Sequence, residues 1–162
     1  MNIDNSIFNK NNVNYFGGAI YSTLKNNIIK NTEFKYNFAN TAGGILFIPE
    51  GYEKKYILEK TNINEINNTA LSYGNNYSTF PSYVLVNYNE TNIKSGGNIL
   101  FNFEIYDNFN TIIKDSIKYF YDLSFTINMK VVDDDSKDID IKGKNNNFLI
   151  HGNHGHFFNG NF

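Results

Sequence analysis

The constraint that dominates this chain is a pattern written twice within residues 5–47. Asn5-Ser6-Ile7-Phe8-Asn9-Lys10-Asn11, followed by Asn14 and Gly17-Gly18-Ala19-Ile20-Tyr21, returns as Asn31-Thr32-Glu33-Phe34-Lys35-Tyr36-Asn37, followed by Asn40 and Gly43-Gly44-Ile45-Leu46-Phe47. The offset is constant at about 26 residues, inside the window that marks solenoids and other stacked arrays. Each matched position is aromatic, amide, glycine or apolar, and none is of a catalytic type.

If each copy is one rung of parallel strands, matched residues lie above one another at the inter-strand spacing of about 4.8 Å. Phe8 over Phe34 then fills an interior. Asn11 over Asn37 passes amide hydrogen bonds from rung to rung, and Gly17-Gly18 over Gly43-Gly44 lets the backbone turn where other residues are excluded. A third, degraded rung is read from Ile57-Leu58 through Ile63, Ile66 and Asn67 to Tyr73-Gly74, its offset stretched to about 30 residues by the Pro- and Gly-bearing excursion after Phe47.

These residues carry a family resemblance. Phe8-Asn9-Lys10-Asn11 with Gly17-Gly18-Ala19-Ile20, and Phe34-Lys35-Tyr36-Asn37 with Gly43-Gly44-Ile45-Leu46, resemble the paired FxxN and GGA(I/L/V) motifs of polymorphic outer-membrane-protein-type β-helix repeats. The second copy departs from that pattern with Ile45 in the alanine place. The resemblance covers about the first half of the chain and implies a right-handed parallel β-helix of about three rungs on an extracellular or cell-surface protein. Large ectodomains carry such repeats, so a receptor ectodomain is among the alternatives it implies.

Beyond Ser82 the period changes to two. Ile99, Phe101, Phe103 and Ile105 share one strand face and Leu100, Asn102, Glu104 and Tyr106 the other, and Leu123, Phe125, Ile127, Met129 and Val131 repeat the scheme. Strands are predicted near 83–88, 99–106, 111–114, 121–132, 138–142 and 147–151, a spacing that suits an immunoglobulin-like antiparallel β-sandwich. The Gly-Gly strand and its following turn weakly resemble bacterial-type immunoglobulin-like surface repeats. Pro81 cannot donate to a ladder and marks the border. The predicted fold is therefore all-β, with β-helix rungs over residues 1–80 and an incomplete sandwich over 82–162. The uncapped first rung predicts a piece covalently part of a longer protein.

Composition narrows the partners. With 41% hydrophobic and 17% aromatic residues the chain has the means to bury a core, and its net charge of −2, with lysine as its only strong base, offers no field for nucleic acid. No stretch has the length of an apolar membrane span, no apolar leader follows Met1, and no cysteine is present to build a disulfide framework.

Chemistry-bearing clusters are few. His151, His154 and His156 are the metal candidates, against the plainer reading of a Gly/Asn-rich hairpin. Asp133, Asp134, Asp135, Asp138 and Asp140 do not follow a calcium-loop pattern and read as a solvated turn. Asp4, Glu33, Glu50, Glu53, Glu59 and Glu65 are the carboxylates of the rungs, and no two occupy matching positions, so the paired acids of polysaccharide hydrolysis are not expected. Tyr21 and Phe47 are candidates for stacking on sugar rings. Asn67, Asn76 and Asn89 head Asn-x-Ser/Thr triplets, acceptors for glycosylation in a eukaryotic secretory route.

The expectation is a non-catalytic structural, adhesive or ligand-presenting segment, without cofactor, whose partners are cell-surface or wall glycans or proteins. A carbohydrate-binding module and a non-catalytic part of a polysaccharide-active β-helix enzyme are the alternatives.

Overall fold

The computed structural model describes residues 1–49, 57–88, 101–120, 124–126 and 154–156. The strands expected at 138–142 and 147–151, the acidic residues from Asp133 to Asp140, Asn89 and His151 lie outside the described residues, as do Glu50 and Glu53. Every regular element among the described residues is a strand. No helix among them is long and apolar enough to cross a membrane.

The described residues up to Thr79 make three parallel sheets, and each of three tiers of chain contributes to all of them. In the first sheet β1 (Asn2–Asp4) and β2 (Ile7–Asn9) pair with β5 (Asn26–Lys35), which pairs in turn with β8 (Ile57–Ile66). The second sheet stacks β3 (Asn12–Val13), β6 (Phe38–Ala39) and β9 (Thr69–Ala70), and the third stacks β4 (Ile20–Tyr21), β7 (Leu46–Ile48) and β10 (Tyr77–Thr79). Phe8 pairs with Phe34 and Ile20 with Leu46, as the sequence offset requires. The third tier runs 31 residues behind the second.

Corners are set by stacked left-handed residues. Asn5, Asn31 and Asn62 have φ of 52°, 46° and 53°; Lys10, Tyr36 and Asn67 have 56°, 54° and 49°; Gly17, Gly43 and Gly74 have 70°, 72° and 64°. Asparagine and glycine suit such a backbone, whereas lysine and tyrosine adopt it under strain. The second glycine of each pair serves another need. A Cβ on Gly18 would lie 2.2 Å from the Gly44 carbonyl oxygen, and one on Gly44 would lie 2.1 Å from that of Asn75.

The interior is apolar with one amide ladder. Phe8 and Phe34 stack at 5.0 Å and 12°, and Phe34 is fully buried with Ile29, Ile45, Leu46 and Ile48. Burying a ring of this size contributes about 1.5–3 kcal/mol. Beside it Asn11 Nδ2 donates to Asn37 Oδ1 at 2.7 Å, and Asn37 Nδ2 donates to Asn68 Oδ1 at 2.8 Å and to the Phe8 carbonyl at 3.0 Å. The ladder residue of the third tier is thus Asn68. Asn67, read from the sequence as part of that rung, instead holds the left-handed corner.

Pairing turns antiparallel at Pro81, where β11 (Pro81–Tyr88) pairs with β12 (Phe101–Asp107). The predicted alternation holds in β12, with Phe103, Ile105 and Asp107 buried and Asn102 exposed. The strand predicted at 111–114 is reduced to a bridge between Tyr106 and Ile112 and a bond from Ile113 N to the Ile105 carbonyl. The reason is a tight turn at 107–111 in which Asp107 Oδ1 takes the amides of both Phe109 and Thr111. Of the strand predicted at 121–132 the described part is β13 (Ser124–Thr126), paired antiparallel with β14 (His154–His156).

The outer face of the third parallel sheet is covered at Phe47 and open at Tyr21. Phe47, fully buried, stacks on Phe16 at 4.3 Å and meets Phe80 edge-on at 5.0 Å, in a cluster that includes Tyr73, Ile105 and Ile113.

Candidate functional site

The contact between the third tier and residues 105–120 brings together buried polar groups and an open groove. Asp107, itself fully buried, accepts the Thr79 amide on Oδ2 at 3.2 Å and the Phe109 and Thr111 amides on Oδ1 at 2.9 and 2.8 Å. Ser72 Oγ donates to the Lys114 carbonyl and Ser116 Oγ to the Leu71 carbonyl, at 2.6 and 3.0 Å. Burial pushes the Asp107 carboxyl above its ordinary range, and the three backbone donors act against that rise.

Between these clamps runs an open groove of about 820 Å³, with Tyr73, Tyr77, Tyr106 and Phe109 as its aromatic lining and Asn75, Asn110 and Lys114 among its polar lining. Two of its three tyrosines, Tyr77 and Tyr106, are held alike by carboxylates, while the Tyr73 hydroxyl donates to the Thr79 carbonyl at 2.7 Å. The Tyr77 hydroxyl donates to Glu65 Oε1, and the same carboxylate accepts Asn76 Nδ2 at 2.6 Å and Lys60 Nζ at 3.3 Å. Lys60 Nζ also stands 3.9 Å from the Tyr77 ring centroid, a cation–π distance. The Tyr106 hydroxyl donates to Glu104 Oε2 at 3.0 Å, and its ring stacks on Tyr83 at 5.3 Å and 7°. Burial, then the hydrogen bond and charge of Glu65, raise the Tyr77 phenol; the hydrogen bond to Glu104 is the main cause that raises Tyr106. Both phenols stay protonated and serve as donors at neutral pH.

A second, smaller cleft of about 350 Å³ is lined by Tyr15, Phe16, Tyr21 and Tyr119. Tyr21 and Phe47 do share a face, 5.8 Å apart, but only Tyr21 reaches solvent. A sugar therefore has access to one of the two rings singled out in the sequence.

Asp4, Glu33, Glu59 and Glu65 pair in the sheets with Lys30, with Ile7 and Asn64, with Ile28, and with Phe34, so none faces another acid across a strand pair. Glu33 instead bonds Lys35 at 2.5 Å, which with Asn64 holds its carboxyl below the usual range. Among the described residues no three metal-capable side chains converge. His154 and His156 belong to β14. Asn67 is exposed at its corner, whereas the half-buried Asn76 has its Nδ2 committed to Glu65, a bond that a glycan on that nitrogen would displace.

The sequence reading passed over Tyr77, Tyr106, Phe109 and Asn110. Nothing in their spacing announces a site, because they come from separate sheets and a turn. Comparison of the chain with protein-family models, with curated proteins and with solved structures finds no match.

Proposed function

We propose that residues 1–80 are rungs of a right-handed parallel β-helix of the polymorphic outer-membrane-protein type, that the following residues belong to an incomplete immunoglobulin-like sandwich, and that the whole is a non-catalytic display or adhesive segment of an extracellular or cell-surface protein. The observation that carries this reading is the axial register itself. Phe8 lies on Phe34, and Asn11, Asn37 and Asn68 form one hydrogen-bonded ladder. Side chains stacked in this way maintain shape, and a stiff stack of tiers supplies long flanks on which other groups are presented. That Asp4, Glu33, Glu59 and Glu65, the rung carboxylates among the described residues, do not face one another across a strand pair favours a scaffold over hydrolysis, which needs two acids a few ångströms apart.

The test is accessibility in the source cell. An antibody raised against this chain is expected to label intact cells and to lose its signal after mild surface proteolysis. Labelling that requires permeabilisation overturns the reading.

A further inference from the structure

We infer that the groove between the third tier and the 107–111 turn is a saccharide-binding site that takes a short oligosaccharide across Tyr77, Tyr106 and Phe109. The inference gives the display reading a ligand and rests on it for its biological setting. The binding itself is a property of the isolated chain.

Three features of the groove select this chemistry. Its volume, about 820 Å³, lies in the range of small-molecule sites, and its lining combines flat rings with planar amides. A sugar ring is likewise divided, with C–H faces that stack on aromatics and a rim of hydroxyls that need hydrogen-bond partners.

The rings are held before any ligand arrives. Glu65 fixes the Tyr77 hydroxyl and Glu104 fixes that of Tyr106, while Tyr83 backs the Tyr106 ring. Little side-chain freedom is then lost on binding, which is how a shallow site gains affinity.

The amides present donors. Asn75 Oδ1 accepts the Ala70 amide at 3.1 Å and Asn110 Oδ1 accepts the Tyr83 hydroxyl at 2.9 Å. With both oxygens engaged, each residue offers its NH₂ group to a ligand. Lys114 adds a cation that forms no ion pair among the described residues, and no carboxylate residue lines the groove. The ligand is thus rich in acceptors, as hydroxyls, ring oxygens and uronate carboxylates are. One lysine in a chain of net charge −2 does not supply the phosphate neutralisation that a nucleic acid strand requires.

The experiment is amide and aromatic NMR of the ¹⁵N-labelled chain titrated to millimolar concentration with chitotriose, cellotriose and trigalacturonate. Expected are saturable shifts confined to residues 72–77 and 106–114 with at least one of the three, and at least about tenfold weaker binding in Tyr106→Ala. Tighter binding of trigalacturonate that Lys114→Ala abolishes identifies the acidic class, and equal binding of a neutral trimer identifies the neutral one. The inference is overturned by the absence of shifts with all three, or by shifts that map to Tyr15, Tyr21 and Tyr119. Should Tyr106→Ala lose its fold, the exposed Asn75→Ala takes its place, and the shift map decides without either variant. Failure here leaves surface display standing, because that is read from cell labelling, and failed labelling leaves the groove's chemistry untouched.

Discussion

Glu65 occupies, one tier on, the register position of Phe34. The column that begins Phe8, Phe34 therefore passes from stacked rings to a carboxylate, and the third tier supplies what that carboxylate needs: the Tyr77 hydroxyl, the Asn76 amide and the Lys60 ammonium. A stack of parallel tiers is closed by one with a polar outer side, and Glu65 puts a carboxylate in that place here. Glu65→Gln keeps the size and an acceptor while removing the charge. The Tyr77 phenol is expected to titrate at lower pH in this variant but still above an ordinary tyrosine, because burial is the larger cause of its rise. Ultraviolet or NMR titration reads the change, and an unmoved Tyr77 would sever the link.

Asn37 is the middle member of the amide ladder. It accepts from Asn11 N and Nδ2, donates to the Phe8 carbonyl and bonds Asn68 through both its backbone and its side chain. Asn37→Ala leaves several buried groups unpaired at once and is expected to destabilise by about 3 kcal/mol. Asn11→Ala, on the exposed first tier, is expected to cost about 1 kcal/mol. Urea unfolding of the two variants gives the ratio.

The glycine pairs answer to different constraints, and the third tier separates them. Gly74 keeps the left-handed corner, but its neighbour is Asn75, where the earlier tiers have Gly18 and Gly44. Gly18 and Gly44 are each pressed by the backbone of the tier that follows. Gly44→Ala, whose Cβ would also lie 2.6 Å from the Thr69 carbonyl oxygen, is expected to cost about 3 kcal/mol or to prevent folding. Asn75→Ala forfeits the bond to the Ala70 amide, about 1 kcal/mol. Comparable melting temperatures for the two variants would refute the assignment of roles.

The first two tiers were legible because stacking demands the same residue type at each level, so geometry writes itself into sequence as identity at a fixed offset. The third tier was blurred by the same physics. Glu65 replaces the phenylalanine, Asn75 the second glycine and Ser78 the Phe47 of the tier before, and a longer connection after Ile48 moves the register to 31. Asn67 and Asn68 are adjacent amides, and only the backbone angle tells corner from ladder. Alternation in β12 was readable since one face is buried and the other wet. The groove was not readable at all. Tyr77 and Tyr106 are brought together by Asp107 reaching the Thr79 amide, a bond between residues 28 apart that no periodicity encodes.

Tyr36 carries a strain that the sequence does not show. Its φ of 54° places an aromatic side chain in a region that asparagine tolerates and Asn67 occupies one tier later, and its side chain is exposed. Tyr36→Asn is expected to stabilise by about 0.5–1 kcal/mol, since the backbone bond from its N–H to the Ile66 carbonyl is retained. A lowered melting temperature would show that the ring contributes more than the corner costs.

Asp107 gives the chain an acid-side signature whose sign follows from its burial. Its carboxyl titrates above the ordinary aspartate range in the folded state. Below that range folded and unfolded chains both hold the proton, and the contribution of this group to stability is complete. As pH rises through the window between the unfolded value and the raised one, the unfolded chain releases its proton first and the folded state loses stability; above the window the loss is constant. Asp107→Asn removes this titration, keeps an acceptor for the Phe109 and Thr111 amides, and sets an NH₂ group against the Thr79 amide. Glu33, whose lowered carboxyl acts in the opposite sense and loses its contribution as pH falls, is present in both chains and cancels from their difference. The stability of the unmodified chain relative to Asp107→Asn is therefore expected to improve as pH is lowered from neutrality toward the ordinary aspartate range. Paired urea titrations across that span measure the difference directly. A gap that stays flat would mean that the three backbone donors cancel burial, and one that widens in favour of the variant that they outweigh it and hold the carboxylate ionised at the junction.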